Sequence, residues 1–393
     1  MKNENNLNRR NFLLSTMAAS TALATGTSLL NPASAAGSLK IGLMIPLSGP
    51  AGLFGPSSKN CAELAAETIN NRGGIMGRPV ELVFADAGVP PAEATKTAIR
   101  LMLSERVDAI IGMHDSAVRA AVIGALKAKI PYVYTPVYEG GECAKNTYVV
   151  GETPPQQLAP VIPWLAQNKG VNKWYMIGND YNWPRLSNEA AKSYIASVGG
   201  KVVGEQYLPF DVNNFDANIA QIKDSGANGV LITLVGGASV GFNRSFAGFG
   251  LADSVYRLGT LIEENTLLGI GAENSKNLFS SAGYFGNINT LENQNFVQRF
   301  QQKFGAKAPV LNTLGQSCYQ GVLLLEAMAK RAGQWDKAKL AATAEGTTFD
   351  SPRGTVTLRD RHVDTNVYLA EANGVSFEVV KTFPNIGSGA TCS

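Results

Sequence analysis

Histidine is the scarcest chemistry in this sequence: His114 and His362 are the only two among 393 residues. A metal site built from several histidines is therefore excluded. Cysteine is nearly as scarce. Cys61, Cys143, Cys318 and Cys392 stand at spacings that match no zinc motif, and four cysteines allow three complete pairings between which spacing does not choose. Charged residues make up 17% of the chain and the net charge is +3. Lys2, Arg9, Arg10 and Glu4 supply +2 of that within the first 36 residues, so the rest carries 3 − 2 = +1. No basic stripe marks a nucleic acid or a membrane surface as partner. Gly269-Ile270-Gly271 lacks the third glycine of a dinucleotide fingerprint, and the stretch from Asp211 to Asp216 lacks the glycine and glutamate of a calcium loop. With no phosphate loop either, no cofactor is expected.

The length favours two domains, and 45% hydrophobic residues with 41 Gly and 18 Pro suit many short connections between strands and helices. Residues 1–36 are set apart as an address. Arg9-Arg10 is followed by a weakly apolar run, Leu13 to Leu30, and by the small-residue pattern Ala33-Ser34-Ala35. The segment resembles a Tat signal. It implies passage through the Tat machinery, cleavage near Ala35/Ala36, and a mature protein in the periplasm.

After this leader the hydrophobic pattern alternates short apolar runs with amphipathic stretches. Leu39 to Pro46, Val80 to Ala85 and Asp108 to Ile111 are expected strands; Ser57 onward, Ala92 to Ser104 and the stretch capped by Ser116 are expected helices. The stretch from Pro131 to Gln157 then crosses out of this unit. It holds strands at Tyr132 to Tyr134 and Tyr148 to Val150, and it breaks at Pro136 and Pro154-Pro155. A second alternating run follows, with a helix expected over Leu158 to Gln167 and strands at Trp174, Val202, Val230, Tyr256 and Leu278. The expected helices Glu292 to Phe304 and Leu314 to Arg331 come next, and the tail from Gly354 alternates like antiparallel hairpins with a turn at Asn373-Gly374. The fold class is α/β, with parallel sheets in two Rossmann-like lobes.

Several motifs in fixed order carry a resemblance. Asn71-Arg72-Gly73-Gly74-Ile75-Met76-Gly77-Arg78, Glu81 to Asp86 and Val107 to Gly112 resemble the type I periplasmic binding proteins of the branched-chain amino acid transporter class. Tyr138-Glu139-Gly140-Gly141-Glu142-Cys143, Pro154-Pro155-Gln156-Gln157 and Ile177 to Tyr181 resemble the urea- and short-chain-amide-binding subgroup. The resemblance implies two lobes joined by three crossing segments, one from 37–154 with 286–345 and the other from 155–285 with 346–393. It also implies closure on a small solute and delivery to the permease and ATPase subunits of an ABC transporter.

Ligands in open α/β sheets lie beyond the carboxyl ends of strands, which nominates loop residues at those positions. Ser116 with the amides of Ala117 and Val118 suits a ligand carbonyl or carboxylate at a helix start, against the plain alternative of an N-cap. His114, just before it, suits a solute hydrogen bond tuned by pH. Tyr134, Pro136 and Tyr138 from the crossing, Tyr181 and Trp183 from the second lobe, and Phe54 in the first loop suit aromatic walls with polar rims. Glu263 and Glu264 suit a substrate ammonium or amide, or else a solvated helix start, and keep amino acids among the expected ligands.

One motif points to an enzyme. Gly237-Ala238-Ser239-Val240-Gly241 is a literal G-x-S-x-G between a strand and a helix, with His362 downstream. Against a hydrolase stand the missing oxyanion segment and the two similar halves. The glycines from Gly236 onward equally suit a close backbone approach to a ligand. The expected function is capture of urea, a short amide or a related solute. A branched-chain or other amino acid binder is the alternative, with a ligand-sensing regulator and a Ser239 hydrolase behind it.

Overall fold

Strand β1, Leu39–Ile45, buries every side chain except that of Lys40. A strand apolar on both faces needs helices on both sides of its sheet, and the rest of the chain supplies them. The computed structural model describes residues 37–392, so the leader lies outside the described residues. Among these, no helix is long and apolar enough to cross a membrane.

In the first half, β1 is joined by β2 (Val80–Asp86), β3 (Ala109–Gly112), β4 (Tyr132–Tyr134) and β5 (Thr147–Val149), with α1 (Gly55–Asn70), α2 (Pro91–Leu103) and α3 (Ser116–Leu126) as crossovers. The strands are all parallel, in the order β2-β1-β3-β4-β5. The second half opens with α4 (Pro154–Gln157) and α5 (Val161–Lys169). It continues as β6 (Lys173–Asn179), α6 (Asn182–Ser197), β7 (Lys201–Leu208), α7 (Asp216–Asp224) and β8 (Gly229–Thr233). α8 (Gly236–Gly248), β9 (Tyr256–Gly259), α9 (Glu264–Ile270) and β10 (Leu278–Ala282) complete it. Its order, β7-β6-β8-β9-β10, repeats that of the first half. The chain then returns through α10 (Leu291–Phe304), α11 (Thr313–Ala332) and α12 (Lys337–Thr343) to β11 (Thr348–Ser351), β12 (Gly354–Arg359), β13 (His362–Asn373) and β14 (Ser376–Ile386).

Strand β13 joins the two halves. Its first residue pairs with Val149 of β5, while its Tyr368–Glu371 stretch runs antiparallel to β10. β11 pairs with β12, and β12 with the start of β13, on the sheet of the first half. Residues 348–364, beyond the expected boundary at 345/346, extend the first sheet, and pairing within the second begins at Thr365. The hairpin turn at Asn373-Gly374 joins β13 to β14 as expected.

Other differences have local causes. The expected helix from Leu158 begins only at Val161, as α5, with Pro160 as its N-cap; Pro160 lacks the N–H that would carry the short preceding turn α4 on into it. α6 starts at Asn182 instead of Asn188, because extended Tyr181 (φ −157°) serves as its N-cap and Pro184 is accommodated in the first turn. The short α9, α12 and β11 were not anticipated; segments this brief carry too little periodicity to stand out. Helix α11 is buried along most of its length and packs on α1, where the side-chain-free Gly315 lets Ser57 and Cys61 approach. Of the four cysteines, Cys143 and Cys392 form a disulfide, and Cys61 and Cys318 remain as buried thiols.

Candidate functional site

Both halves aim the carboxyl ends of their parallel strands at one cavity of about 390 Å³. Pro46 follows β1, Met113 to Ala117 follow β3, and Pro136 and Val137 follow β4; from the second half come Tyr181, Val235 and Leu261. In a sheet ordered 2-1-3-4-5 the connections from β1 and β3 leave in opposite directions, and the gap between them is where a ligand fits. The halves touch around this cavity. Asn265 Nδ2 donates to the carbonyl of Leu53 at 3.3 Å, and a Cβ on Gly236 would lie 2.5 Å from the carbonyl oxygen of Pro50.

Of the residues nominated by sequence, Phe54, His114, Ser116, Tyr134, Pro136, Tyr181 and Trp183 line this cavity. Tyr181 packs against Phe210 and Trp183 at ring-centroid distances of 5.0 and 6.2 Å, which makes a second-half wall from three aromatics. Tyr134 donates from its hydroxyl to the carbonyl of His114 at 2.7 Å, so its ring is fixed at the opposite wall.

Tyr138, Gly236 and Glu263 do not line it. Tyr138 is fully buried and stacks on His362 with 5.8 Å between ring centroids. Glu263 is the N-cap of α9. Its carboxylate accepts from the amides of Asn265 and Thr266 and from the Thr266 hydroxyl, all within 2.8 Å. It is a helix start, as the plainer alternative had it, but a buried one, and burial raises its carboxyl above the ordinary range. Gly236 has φ +56°, a left-handed conformation that glycine adopts freely, and it faces Pro50 across the mouth.

The start of α3 differs from expectation in a way that matters. Its N-cap is Asp115, whose carboxylate accepts from Val118 N at 2.9 Å, because Asp115 and not Ser116 has the extended backbone a cap requires. The Val118 amide is thus satisfied, and the two amides left without an acceptor in the chain are those of Ser116 and Ala117, both in the cavity wall. The Ser116 hydroxyl is engaged as well. It donates to Glu139 at 2.6 Å and accepts from Arg119 at 3.1 Å.

His114 is not a free titrating contact. Its Nδ1 donates to the Asp115 carbonyl (3.2 Å), which leaves Nε2 to accept from the Tyr132 hydroxyl (3.0 Å). Burial is the main reason that its pKa falls from 6.5 to about 4, with nearby Arg119 acting the same way and the Asp115 carbonyl and carboxylate opposing. The unfolded chain therefore takes up this proton near pH 6.5 and the folded chain only near 4. His114 contributes stability that is whole above pH 6.5 and is lost as pH falls toward 4, on the order of 3 kcal/mol. Glu264 has the opposite slope: burial raises its carboxyl to about 8, so its contribution is present below pH 4.5 and lost by pH 8. The difference between wild type and His114→Gln in urea midpoint, followed from pH 7.5 to 4, isolates the histidine. It should shrink steadily with acidification, whereas a constant difference would remove the neutral-histidine account.

Ser239 and His362 do not meet. Ser239 is buried with no partner for its hydroxyl. Both ring nitrogens of His362 are taken, by the Tyr138 hydroxyl and the Asp360 carbonyl. No Ser–His dyad is formed. Among the described residues no group of three or more His, Cys, Asp or Glu is placed to hold a metal ion.

Several cavity residues were not singled out from sequence: Pro46, Pro50, Val89 to Pro91, Met113, Phe210 and Leu314. The strand-end rule, applied to every strand, would have found most of them. Two larger surface grooves, of about 750 and 680 Å³, lie elsewhere. The first is lined by many charges, some of them already paired, such as Arg72 with Glu326 and Lys330 with Glu326. The second runs along α10 and is largely apolar. Neither sits at the strand ends.

Residues 38–376 match the sequence profile of the periplasmic binding protein family. A Leu/Ile/Val-binding protein homolog of Brucella melitensis is 30% identical over 88% of this chain and 90% of its own length. The chain also superposes on a solute-binding protein of an ABC transporter from Rhodopseudomonas palustris, solved with p-hydroxybenzoic acid, with a TM-score of 0.80 and 26% identity over 90% of this chain and 98% of that one. A leucine-binding protein from Thermotoga maritima gives a TM-score of 0.79 at 20% identity, over 88% of this chain and 99% of that one. The doubled 2-1-3-4-5 sheet, the shared strand and the cavity between the halves accord with these relatives: the chain belongs to the type I periplasmic binding proteins, in the Leu/Ile/Val-binding class of ABC transporter components.

Proposed function

We propose that the protein captures a small monocarboxylate with an apolar body, an aromatic acid above all, and hands it to an ABC permease driven by an ATPase subunit. The observation that carries this reading is one cavity walled by Phe54, Tyr134, Tyr181, Trp183 and Phe210 and ending on the two open amides of Ser116 and Ala117. Flat apolar walls suit a ring, and unpaired amides at a helix start suit a carboxylate. The p-hydroxybenzoate held by the Rhodopseudomonas relative has the same two parts.

Urea and short amides, implied by the motifs around Tyr138 and Pro154, suit this cavity less. A solute that small would leave most of the prolines and aromatic rings facing water. A branched-chain amino acid is the second reading, favoured by the Asp115 carboxylate in the lining and by the name of the Brucella relative. Glu263, the acid expected to hold an ammonium, is turned away to cap α9.

A thermal-shift screen of the mature protein with p-hydroxybenzoate, benzoate, leucine, isoleucine, urea and acetamide tests the assignment. An aromatic acid at about 100 times its dissociation constant should add roughly 2.7 kcal/mol of stability. Stabilisation by leucine or isoleucine with silent aromatic acids would transfer the assignment to the second reading. A response to urea or acetamide alone would restore the amide subgroup.

Capture by closure also predicts the behaviour of Gly236→Ala. A left-handed alanine costs about 1–2 kcal/mol, and its methyl would press on Pro50 only when the halves are together. Affinity for the solute should fall by about tenfold or more, with a more open ensemble in small-angle scattering and a nearly unchanged apo fold. Unaltered affinity would remove this contact from the closing motion.

Residues 1–36 support Tat export followed by cleavage. An exported protein beginning at Ala36 or Gly37 by N-terminal sequencing is the expected result.

A further inference from the structure

Directly behind the cavity wall lies a cluster built on Arg119, Glu139 and Glu142, none of which lines the cavity. Arg119, on α3, has its guanidinium over two mutually edge-on rings, 5.0 Å from the centroid of Tyr134 and 4.6 Å from that of Tyr138. Each of its nitrogens has a different partner: Nη1 donates to the Ser116 hydroxyl (3.1 Å), Nη2 to Glu139 (2.8 Å) and Nε to Glu142 (3.2 Å). Ser116 and Tyr134 line the cavity, so one buried side chain bears on two of its walls. Glu139 and Glu142 lie on the loop between β4 and β5. That loop, residues 135–146, has little regular structure and carries Cys143. Its ties to the rest of the chain include the disulfide to Cys392, a bond from Arg361 to the Cys143 carbonyl, and the Tyr138 amide donating to the Glu152 carbonyl at 2.9 Å. The tail bearing Cys392 is in turn fastened at the crossing, where Thr153 donates to the Ser388 carbonyl (2.7 Å) and Gln156 to that of Ile386 (3.0 Å).

We propose that Arg119 is a positioning residue for the solute cavity, and that the disulfide-anchored loop from Glu139 to Cys143 is what holds it in place. Arg119 fixes the Ser116 turn, and so the aim of the open amides, while its stacking on Tyr134 sets the ring wall. The carboxylates of Glu139 and Glu142 fix Arg119 in return. A guanidinium holds its donors apart in one rigid plane and lays that plane on aromatic rings, whereas a lysine presents one compact, rotatable ammonium. The arrangement makes the solute site depend on a covalent bond formed between residues 249 positions apart. This inference rests on taking the cavity as the solute site.

The test uses the mature full-length chain, the double variant Cys143→Ser/Cys392→Ser, and Glu139→Gln, which leaves the disulfide intact. Amide hydrogen exchange is read within 114–119 at Val118 and Arg119, whose amides have acceptors, relative to β8, so that a global loss of stability cancels. Exchange at 114–119 should rise by about tenfold or more in both variants, the scale of one charge-assisted hydrogen bond lost. With whichever solute of the screen binds wild type, Kd should rise by about the same factor in each, and the combined variant should be no weaker than the worse of the two. Independent structural damage would instead add. Loosening confined to 139–145 with 114–119 unchanged, or an unaltered Kd in both variants, overturns the proposal. If no solute of the screen binds wild type, the aromatic-acid reading fails, while the exchange result still decides whether Arg119 is positioned from the loop.

Discussion

Arg353→Met is expected to lower the free energy of unfolding by about 3–5 kcal/mol, the usual cost of stranding one member of a buried ion pair. Arg353 has no exposed surface and Glu152 is 3% exposed. Their side chains are ion-paired, and the same guanidinium donates to the carbonyl of Val150. Burial pulls the arginine below its ordinary pKa range while Glu152 pulls it back, so removing the arginine leaves a carboxylate with the penalty and without the partner. The position adds to the effect. Val150 and Glu152 lie on the first crossing between the halves, Arg353 on the turn between β11 and β12, and Gly283, just beyond β10, is the residue on which any side chain would strike this pair. Urea denaturation should show the single variant strongly weakened. The double variant Arg353→Met/Glu152→Gln should recover at least half of the loss, since no charge is then stranded. A single-variant change below about 1 kcal/mol would mean that water already reaches Glu152.

Opening the Cys143–Cys392 bridge is expected to cost about 2–5 kcal/mol. The bridge closes a loop with a sequence separation of 249, and it removes freedom from most of the unfolded mature chain. Denaturation of the oxidised protein, of the protein in dithiothreitol, and of Cys143→Ser/Cys392→Ser should place the last two together and well below the first. Labelling of the denatured, unreduced chain should detect only Cys61 and Cys318 as thiols. Coincident curves with and without reductant would show that the native contacts of the tail already supply the constraint.

How much of this was legible in the sequence depended on the length of the signal. β1, α1, α2 and α11 are long and periodic, and they lie within a residue or two of where their patterns put them. The hairpin turn at Asn373-Gly374 was legible because turn chemistry is local. The return of residues 348–364 to the first sheet was not, since pairing across the chain leaves no mark in either partner. At the site, the strand-end rule brought Phe54, His114, Ser116, Tyr134, Pro136, Tyr181 and Trp183 to one cavity. It could not say which way a side chain turns. Glu263 lies at the right strand end and spends its carboxylate on α9; Tyr138 lies on the right loop and stacks on His362. Arg119 escaped notice altogether, because on a helical pattern it is one more polar position, and its burial arises only when the loop of Glu139 and Glu142 folds over it.

Strand β13 has a consequence for how the chain acquires its shape. The five parallel strands of the first half are complete by Val149, yet their sheet gains its next strand only from His362, and the second sheet is closed by the same strand. A ribosome that has released the first half has released an unfinished edge, and contacts spanning more than half the sequence must form before either sheet is closed. Folding should therefore be late and concerted, with neither half stable as a separate fragment, and chains cut before β13 should be the ones that aggregate.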